Sequence, residues 1–295
     1  MMKHLTENTR IFVENSTSEE RILSCRFSKW IGYTQAAKII NRMDELLIYP
    51  KSTRMTNLLL VGESNNGKTA ILSKFNQKYE AYLHKNTGRV INPVVMVQAP
   101  PEPDERRFYN AILEKIFAPY KTSEKLDLRY LRVKKMLVEM ETKALIIDEI
   151  HHVLAGAPTK QRKFLNVIKH LSNDLQIPII CAGTMLAFNV IQTDHQLANR
   201  FEPRVLPKWV NDMEFKRLLA SFEALIPLKK ESMLIEGSMV MKLLSMSDGL
   251  IGEVARILEL CSIDAIRSGE EKITKDILLN IDYVSPQDRK KRYFA

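Results

Sequence analysis

Cysteine is nearly missing from this chain. Cys25, Cys181 and Cys261 are the only three in 295 residues, and they stand far apart. None forms a C-x-x-C pair, and none sits at zinc-ligand spacing with histidine. That excludes a disulfide framework or a cysteine zinc site as the organising device, and it reads as a reduced, cytoplasmic chain. Long apolar runs are missing too. The longest, such as Leu58–Gly62 and Ala144–Ile147, fall far short of the roughly 20 residues a membrane span needs. Met1–Arg10 is polar with no apolar run after it, so no signal peptide is expected and any membrane role would be peripheral. There is no internal repeat and no low-complexity segment.

What is present is ordinary globular material with a basic surplus. Hydrophobic residues make up 45% and charged residues 27%, which excludes a disordered or fibrous chain. The length suits one large domain, or one domain with a smaller lobe. Lys and Arg number 44 against 35 Asp and Glu, a net charge of +9 that points toward polyanions.

Short, almost wholly apolar runs at 57–61, 94–97, 144–147 and 177–182 read as strands buried on both faces. Helical spacing over 34–48, 70–83, 108–117, 130–140 and 160–171 separates them. This alternation predicts an α/β fold with a parallel sheet. After Trp209 only helices are expected, at 214–225, 238–244, 252–266 and 274–280. The expected organisation is an N-terminal arm (1–27), an α/β core (28–210), a small helical lid (211–284) and a basic C-terminal tail (285–295).

Gly62-Glu63-Ser64-Asn65-Asn66-Gly67-Lys68-Thr69 fits G-x-x-x-x-G-K-[ST]. Its glycines permit a tight anion-wrapping loop, and its backbone N–H groups, with the helix start at Ala70, would surround the phosphates of ATP. Lys68 would meet the β- and γ-phosphates, and the Thr69 hydroxyl would ligate Mg²⁺. An apolar strand before the loop and an amphipathic helix after it supply the context the motif requires. The run Ala144-Leu145-Ile146-Ile147-Asp148-Glu149 offers the second half of such a site. Asp148 would hold Mg²⁺ and Glu149 would activate the attacking water. A strand that merely exits into an acidic turn is the plainer alternative. A glutamate directly after the aspartate argues for hydrolysis.

The pattern resembles the AAA+ ATPases. That resemblance makes Thr184, at the end of the 179–184 run, a sensor of the γ-phosphate or the attacking water, against an ordinary strand-end threonine. In Asn199-Arg200-Phe201-Glu202-Pro203-Arg204 it makes Arg200, ahead of Arg204, the arginine finger inserted into a neighbouring subunit. A surface ion pair is the alternative for either. In Gly252-Glu253-Val254-Ala255-Arg256, Gly252 would open a helix and Arg256 would reach the nucleotide, or else be an exposed helix arginine. Ile31 and Tyr33, in Trp30-Ile31-Gly32-Tyr33, would sandwich the adenine or serve as a core staple.

A narrower resemblance is to the TniB family of transposition ATPases, relatives of TnsC. It is carried by Trp30–Tyr33, by Arg54–Gly62 running into Asn65–Thr69, by Gln98–Asp104 and Asp148–His151, and by Gln161–Asn166, Gly183-Thr184 and Asn199–Pro203, over about residues 25–265. His152 departs from the pattern, where a small polar residue is expected. The resemblance implies ATP-bound subunits that assemble as a ring or helical filament on double-stranded DNA. The assembly would mark a target site and recruit a transposase, in some systems together with an RNA-guided target-selection complex, and hydrolysis would dismantle it.

Three stretches carry a net +4 each: 121–136, 159–170 and 289–292. The remainder of the chain is mildly acidic. Lys121, Thr122, Lys125 and Arg129 in the first stretch, and Lys160, Arg162 and Lys163 in the second, are the expected phosphate contacts to DNA, with a solvated helix face as the alternative. Competing functions are a helicase-loader or initiator ATPase, which would call for a winged-helix domain after the lid, and a non-hydrolysing nucleotide-gated adaptor. Intact Lys68, Asp148 and Glu149 speak against the adaptor.

Overall fold

The computed structural model describes residues 2–193 and 195–289. The expected basic run 289–292 therefore lies outside the described residues, apart from Arg289. No helix among the described residues is long and apolar enough to cross a membrane.

The chain divides into two compact units. One spans 35–64 and 68–206 and is an α/β unit. Its helices and strands follow in chain order after two N-terminal helices, α1 (Glu7–Asn15) and α2 (Ser18–Cys25). They are α3 (Thr34–Leu47), β1 (Asn57–Gly62), α4 (Lys68–Lys78), β2 (Tyr82–Leu83), β3 (Val90–Ile91), β4 (Val94–Gln98), α5 (Glu105–Lys115), α6 (Leu126–Glu139), β5 (Ala144–Asp148), a 3₁₀ turn (Ile150–Ala155), α7 (Pro158–Leu175), β6 (Ile179–Gly183), α8 (Met185–Thr193), α9 (His195–Ala198) and β7 (Phe201–Leu206).

The main sheet has the order β4-β5-β6-β1-β7, and every pairing is parallel. Strand alternation sends Leu59, Val61, Leu145, Ile147 and Ile179 into one core with Phe108, Leu113 and Phe164. Leu58, Leu60, Ile146 and Ile180 point the other way and are equally buried. Both faces are covered, which is why these strands read as unbroken apolar runs.

The structure corrects several sequence expectations. The helix expected over 70–83 starts at Lys68 and stops at Lys78; Tyr82–Leu83 instead pairs antiparallel with Val90–Ile91. A fifth strand, β7, was not expected. It lies at the sheet edge, where Pro203, which has no N–H to donate, is tolerated.

The other unit comprises the described parts of 1–34, 65–67 and 207–295. Its helices are α1, α2, α10 (Met213–Leu225), α11 (Gly237–Ser247), α12 (Ile251–Arg267) and α13 (Lys275–Asn280), with no strand among the described residues. Phe215, Leu219, Leu243, Val254 and Ile257 form its core. Residues 2–34 cluster with the C-terminal helices here, so the units do not follow the expected boundaries. The Arg21 guanidinium makes two 2.7 Å bonds to the Glu271 carboxylate and a 3.1 Å bond to the Pro227 carbonyl. A capping box between Thr17 and Glu20 starts α2.

Candidate nucleotide site and basic surfaces

In a parallel sheet the carboxyl ends of the strands share one edge, and ligands bind there. Gly62, Asp148 and Gly183 end β1, β5 and β6, three neighbours in the sheet. Sequence positions more than thirty residues apart thus become one row. Gly62 has no room for a side chain: an added Cβ would lie 3.2 Å from Leu206 Cβ and 3.3 Å from its carbonyl oxygen. Gly183 is tighter, at 2.8 Å from Ile150 Cγ2. These contacts let the loops after β1 and β5 crowd onto the edge.

Lys68, the first residue of α4, is 4% exposed. Its ammonium donates to the carbonyls of Gly62 (3.0 Å) and Glu63 (2.7 Å). Burial lowers its pKa, while the charges of Glu149, Asp148 and Glu63 pull the other way. The Thr69 hydroxyl donates to Asp148 Oδ2 at 2.6 Å, and the Glu149 backbone N–H donates to Asp148 Oδ1 at 2.8 Å. Asp148 is buried, and Glu149 takes a left-handed backbone (φ 55°) that turns the chain off the strand. Beside these acids lies a cleft of about 510 Å³ lined by Thr69, Ser73, Gln98, Lys115, Asp148 and Glu149. Gln98 faces Asp148 across the β4–β5 register. Gln98 was not among the expected site residues; its place as the last residue of a buried strand was the available signal. Lys115 left none. Thr184 directly follows β6, and its carbonyl accepts from Phe188 N–H at the start of α8.

The loop tip, Asn65–Gly67, belongs to the helical unit. Gly67 has φ 84° and Asn65 φ 61°, the left-handed region in which a loop can wrap an anion. Asn65 Oδ1 would lie 1.9 Å from a Cβ on Gly252, and the Gly252 N–H donates to the Asn65 carbonyl at 3.0 Å. Gly252 is therefore needed for close approach. It does not open the helix: α12 begins at Ile251. The next residue, Glu253, is 6% exposed and was missed by sequence reasoning. It accepts from Asn65 Nδ2 (3.1 Å), Tyr283 OH (2.6 Å) and both Arg289 Nη atoms (3.0 and 2.8 Å). Burial pushes its pKa up, but these donors outweigh burial and hold it below the usual carboxylate value. Arg256 points outward and pairs with Glu259 at 2.7 Å. Ile31 packs into the helical core, as a staple would. The Tyr33 ring meets Trp209 edge-on at 5.0 Å, and its hydroxyl would lie 4.0 Å from a Cβ on Gly67.

Against known proteins, the family model described as Bacterial TniB protein matches residues 21–211, well over half of the chain. The chain belongs to the TniB family. Among solved structures it is similar to the ORC1 protein of Aeropyrum pernix in complex with DNA (16% identity, 92% of this chain and 69% of that chain, TM-score 0.57). It is also similar to the A. pernix ORC2 protein in ADPNP–ADP complexes (13%, 88% and 70%, 0.62) and to Hsp104 of S. cerevisiae in a casein complex (17%, 86% and 42%, 0.55). These likenesses show the fold, which is that of the AAA+ ATPases.

In this TniB chain the two arginines at β7 are held differently. Arg204 Nη2 donates to the Glu202 carboxylate, which also receives Arg42 at 2.7 Å. Arg200 Nη1 donates to the neutral Asn173 Oδ1, and its buried Nε has no partner among the described residues. The buried Nε of Arg204 has no partner among the described residues either; the difference is that Arg204 ion-pairs with Glu202, whereas Arg200 makes no ion pair among the described residues.

Of the expected DNA contacts, Lys121, Thr122, Lys125, Lys160, Arg162 and Lys163 are exposed. Arg129 is not: it is 1% exposed. Its guanidinium donates to Asn110 Oδ1 and, at 2.6 Å, to the Lys121 carbonyl, and it lies 4.9 Å from the Tyr120 ring centroid. Arg129 therefore shapes the loop that presents Lys121 and cannot itself reach a phosphate.

Proposed function

We propose that this protein is a Mg²⁺-dependent ATPase that assembles on double-stranded DNA and recruits a transposase to the DNA it covers. The observation that carries the nucleotide part is the pairing of Thr69 with Asp148 at 2.6 Å beside the buried Lys68. A hydroxyl and a carboxylate side by side are the hard oxygen donors that Mg²⁺ prefers, so the residues fit the ion. Bound there, Mg²⁺ would neutralise charge developing on the β- and γ-phosphates. Lys68 adds a second positive charge from the loop. Glu149, on the turn after Asp148, orients the attacking water and takes its proton. Thr184 at the adjacent strand end holds the same water or the γ-phosphate. Arg200, with no ion pair among the described residues, is the better arginine finger toward a neighbouring copy.

The DNA part is supported by family membership and by exposed lysines and arginines with no ion pair among the described residues, which neutralise phosphates without reading sequence. A fold neighbour solved with DNA agrees with this reading. A ring or helical filament of copies would explain both the finger and repeated binding to phosphates.

Phosphate release with and without DNA, together with electron microscopy in a slowly hydrolysed ATP analogue, tests the proposal. Lys68→Ala is expected to abolish nucleotide binding and assembly together. Glu149→Gln is expected to retain ATP and stabilise the assembly, with turnover reduced by at least about 100-fold, the scale set by loss of a general base. Turnover at the wild-type rate in Glu149→Gln removes Glu149 from the chemistry.

A further inference from the structure

Glu149, His151 and His152 each offer a ligand atom, and all three atoms lie within 4.8 Å of one another. Consecutive residues on a helix normally face apart. Here the two imidazoles of the 3₁₀ turn meet edge to face, with centroids 5.0 Å apart. We propose that these three side chains form a binding site for one transition-metal dication of the zinc class, and that its occupancy withdraws Glu149 from hydrolysis. The second clause rests on the proposed function; the first does not.

The state of each ring supports the assignment. His152 Nδ1 lies 3.3 Å from the Ala99 carbonyl oxygen, which can only accept. Nδ1 is therefore the donor, and in the neutral ring that leaves the lone pair on Nε2. A bond of this kind, from the nitrogen behind the free lone pair to a carbonyl, prepares an imidazole for a metal. His151 Nδ1 is buried and lies 2.9 Å from Glu149 Oε2, but it has no hydrogen-bond partner among the described residues. A nitrogen and a carboxylate oxygen this close, outside hydrogen-bond geometry, are spaced as two ligands of one cation are. Two imidazoles and one carboxylate suit zinc, nickel or copper and disfavour magnesium, which prefers oxygen donors. Three protein ligands also leave a fourth position for water.

The site is distinct in chemistry from the Thr69–Asp148 pair, so the two ions need not compete for ligands. What the second ion takes away is the base: a Glu149 carboxylate bound to a dication no longer accepts a proton from water.

The test is a Co²⁺ titration of the untagged full-length protein, without nucleotide or magnesium, followed by its visible ligand-field absorption. One equivalent is expected to bind, displaced by Zn²⁺. His151→Ala and His152→Ala are each expected to weaken binding at least tenfold, and the double variant to abolish it. His152→Gln, which keeps a donor toward Ala99, covers the case in which the alanine variant fails to fold, and thermal melts monitor all of them. In ATPase assays with excess Mg²⁺ and buffered free Zn²⁺, wild type is expected to lose activity more than tenfold. His152→Ala is expected to keep its Mg²⁺-supported rate and resist Zn²⁺. The metal site is overturned if wild type binds no Co²⁺, or if binding is unchanged in both single variants. Inhibition persisting in His152→Ala overturns the link to Glu149. Co²⁺ binding in a protein without ATPase activity leaves the metal site standing and removes the proposed function.

Discussion

The two basic stretches of the α/β unit carry the same nominal charge and use it differently. In 121–136, Arg129 is buried, Arg132 pairs with Glu124 at 2.7 Å, Lys134 with Asp174 at 2.9 Å, and Lys135 with Glu139 at 3.7 Å. Only Lys121 and Lys125 are exposed with no ion pair among the described residues. In 159–170 the exposed Lys160, Arg162 and Lys163 are all without such a pair. The first stretch consumes its charge in building a loop and holding α6 in place. The second, on the first turns of α7, uses none of these three internally. A sequence-level sum of charges therefore treats the two stretches as equal and overstates the charge that the first has free for an anion.

The contrast can be broken most sharply at Arg129. Arg129→Ala strips donors from the Lys121 carbonyl and Asn110 and leaves a cavity against Tyr120. A drop of about 3 kcal/mol in stability is expected, the size seen when one partner of a buried polar network is removed, measured by urea unfolding. Near-wild-type stability would mean the loop does not depend on this side chain. Next in size, replacing Lys160, Arg162 and Lys163 together with alanine is expected to lower the salt slope of DNA binding by about 2.7, at roughly 0.9 for each phosphate no longer neutralised, without changing stability. The Lys121, Lys125 double replacement is expected to lower it by about 1.8 on the same basis. Equal slopes for the two sets would erase the ranking. Smallest of all, Lys134→Ala removes an exposed pair and is expected to change stability by under about 1 kcal/mol, with DNA affinity unmoved.

What was legible in the sequence follows from where information sits in a chain. Strands buried on both faces betray themselves as apolar runs, so β1, β4, β5 and β6 could be placed, and with them Gly62, Asp148 and Thr184 at one edge. The edge strand β7 could not, because Pro203 and the alternation of Glu202 and Arg204 with apolar residues erase that signal. The short β2–β3 pair is largely exposed and carries too few residues to show a period. The phosphate loop was readable because its chemistry is local to eight consecutive residues. Arg129 and Glu253 were not, because each takes its role from partners far along the chain: Asn110 for one, Asn65 and Arg289 for the other. A charge in a basic run and a charge in a buried network look alike until the fold names their neighbours.

The Glu253 carboxylate also makes the helical unit a reciprocal coupler. Asn65 of the phosphate loop, Tyr283 and Arg289 all bond to it. By linkage, whatever coupling runs through such a shared acceptor is reciprocal: each side alters the other by the same free energy. Its folded pKa is depressed below the ordinary value of 4.5, so the stability it confers is complete above that value and drains away as the pH falls through the lowered one. Glu253→Gln is expected to raise hydrogen exchange in 65–67 and in 283–289 together at neutral pH; a rise in only one of them would uncouple the two. A ligand held by residues 65–67 would thus be felt at residue 289, and a pull on the chain at residue 289 would be felt at the loop.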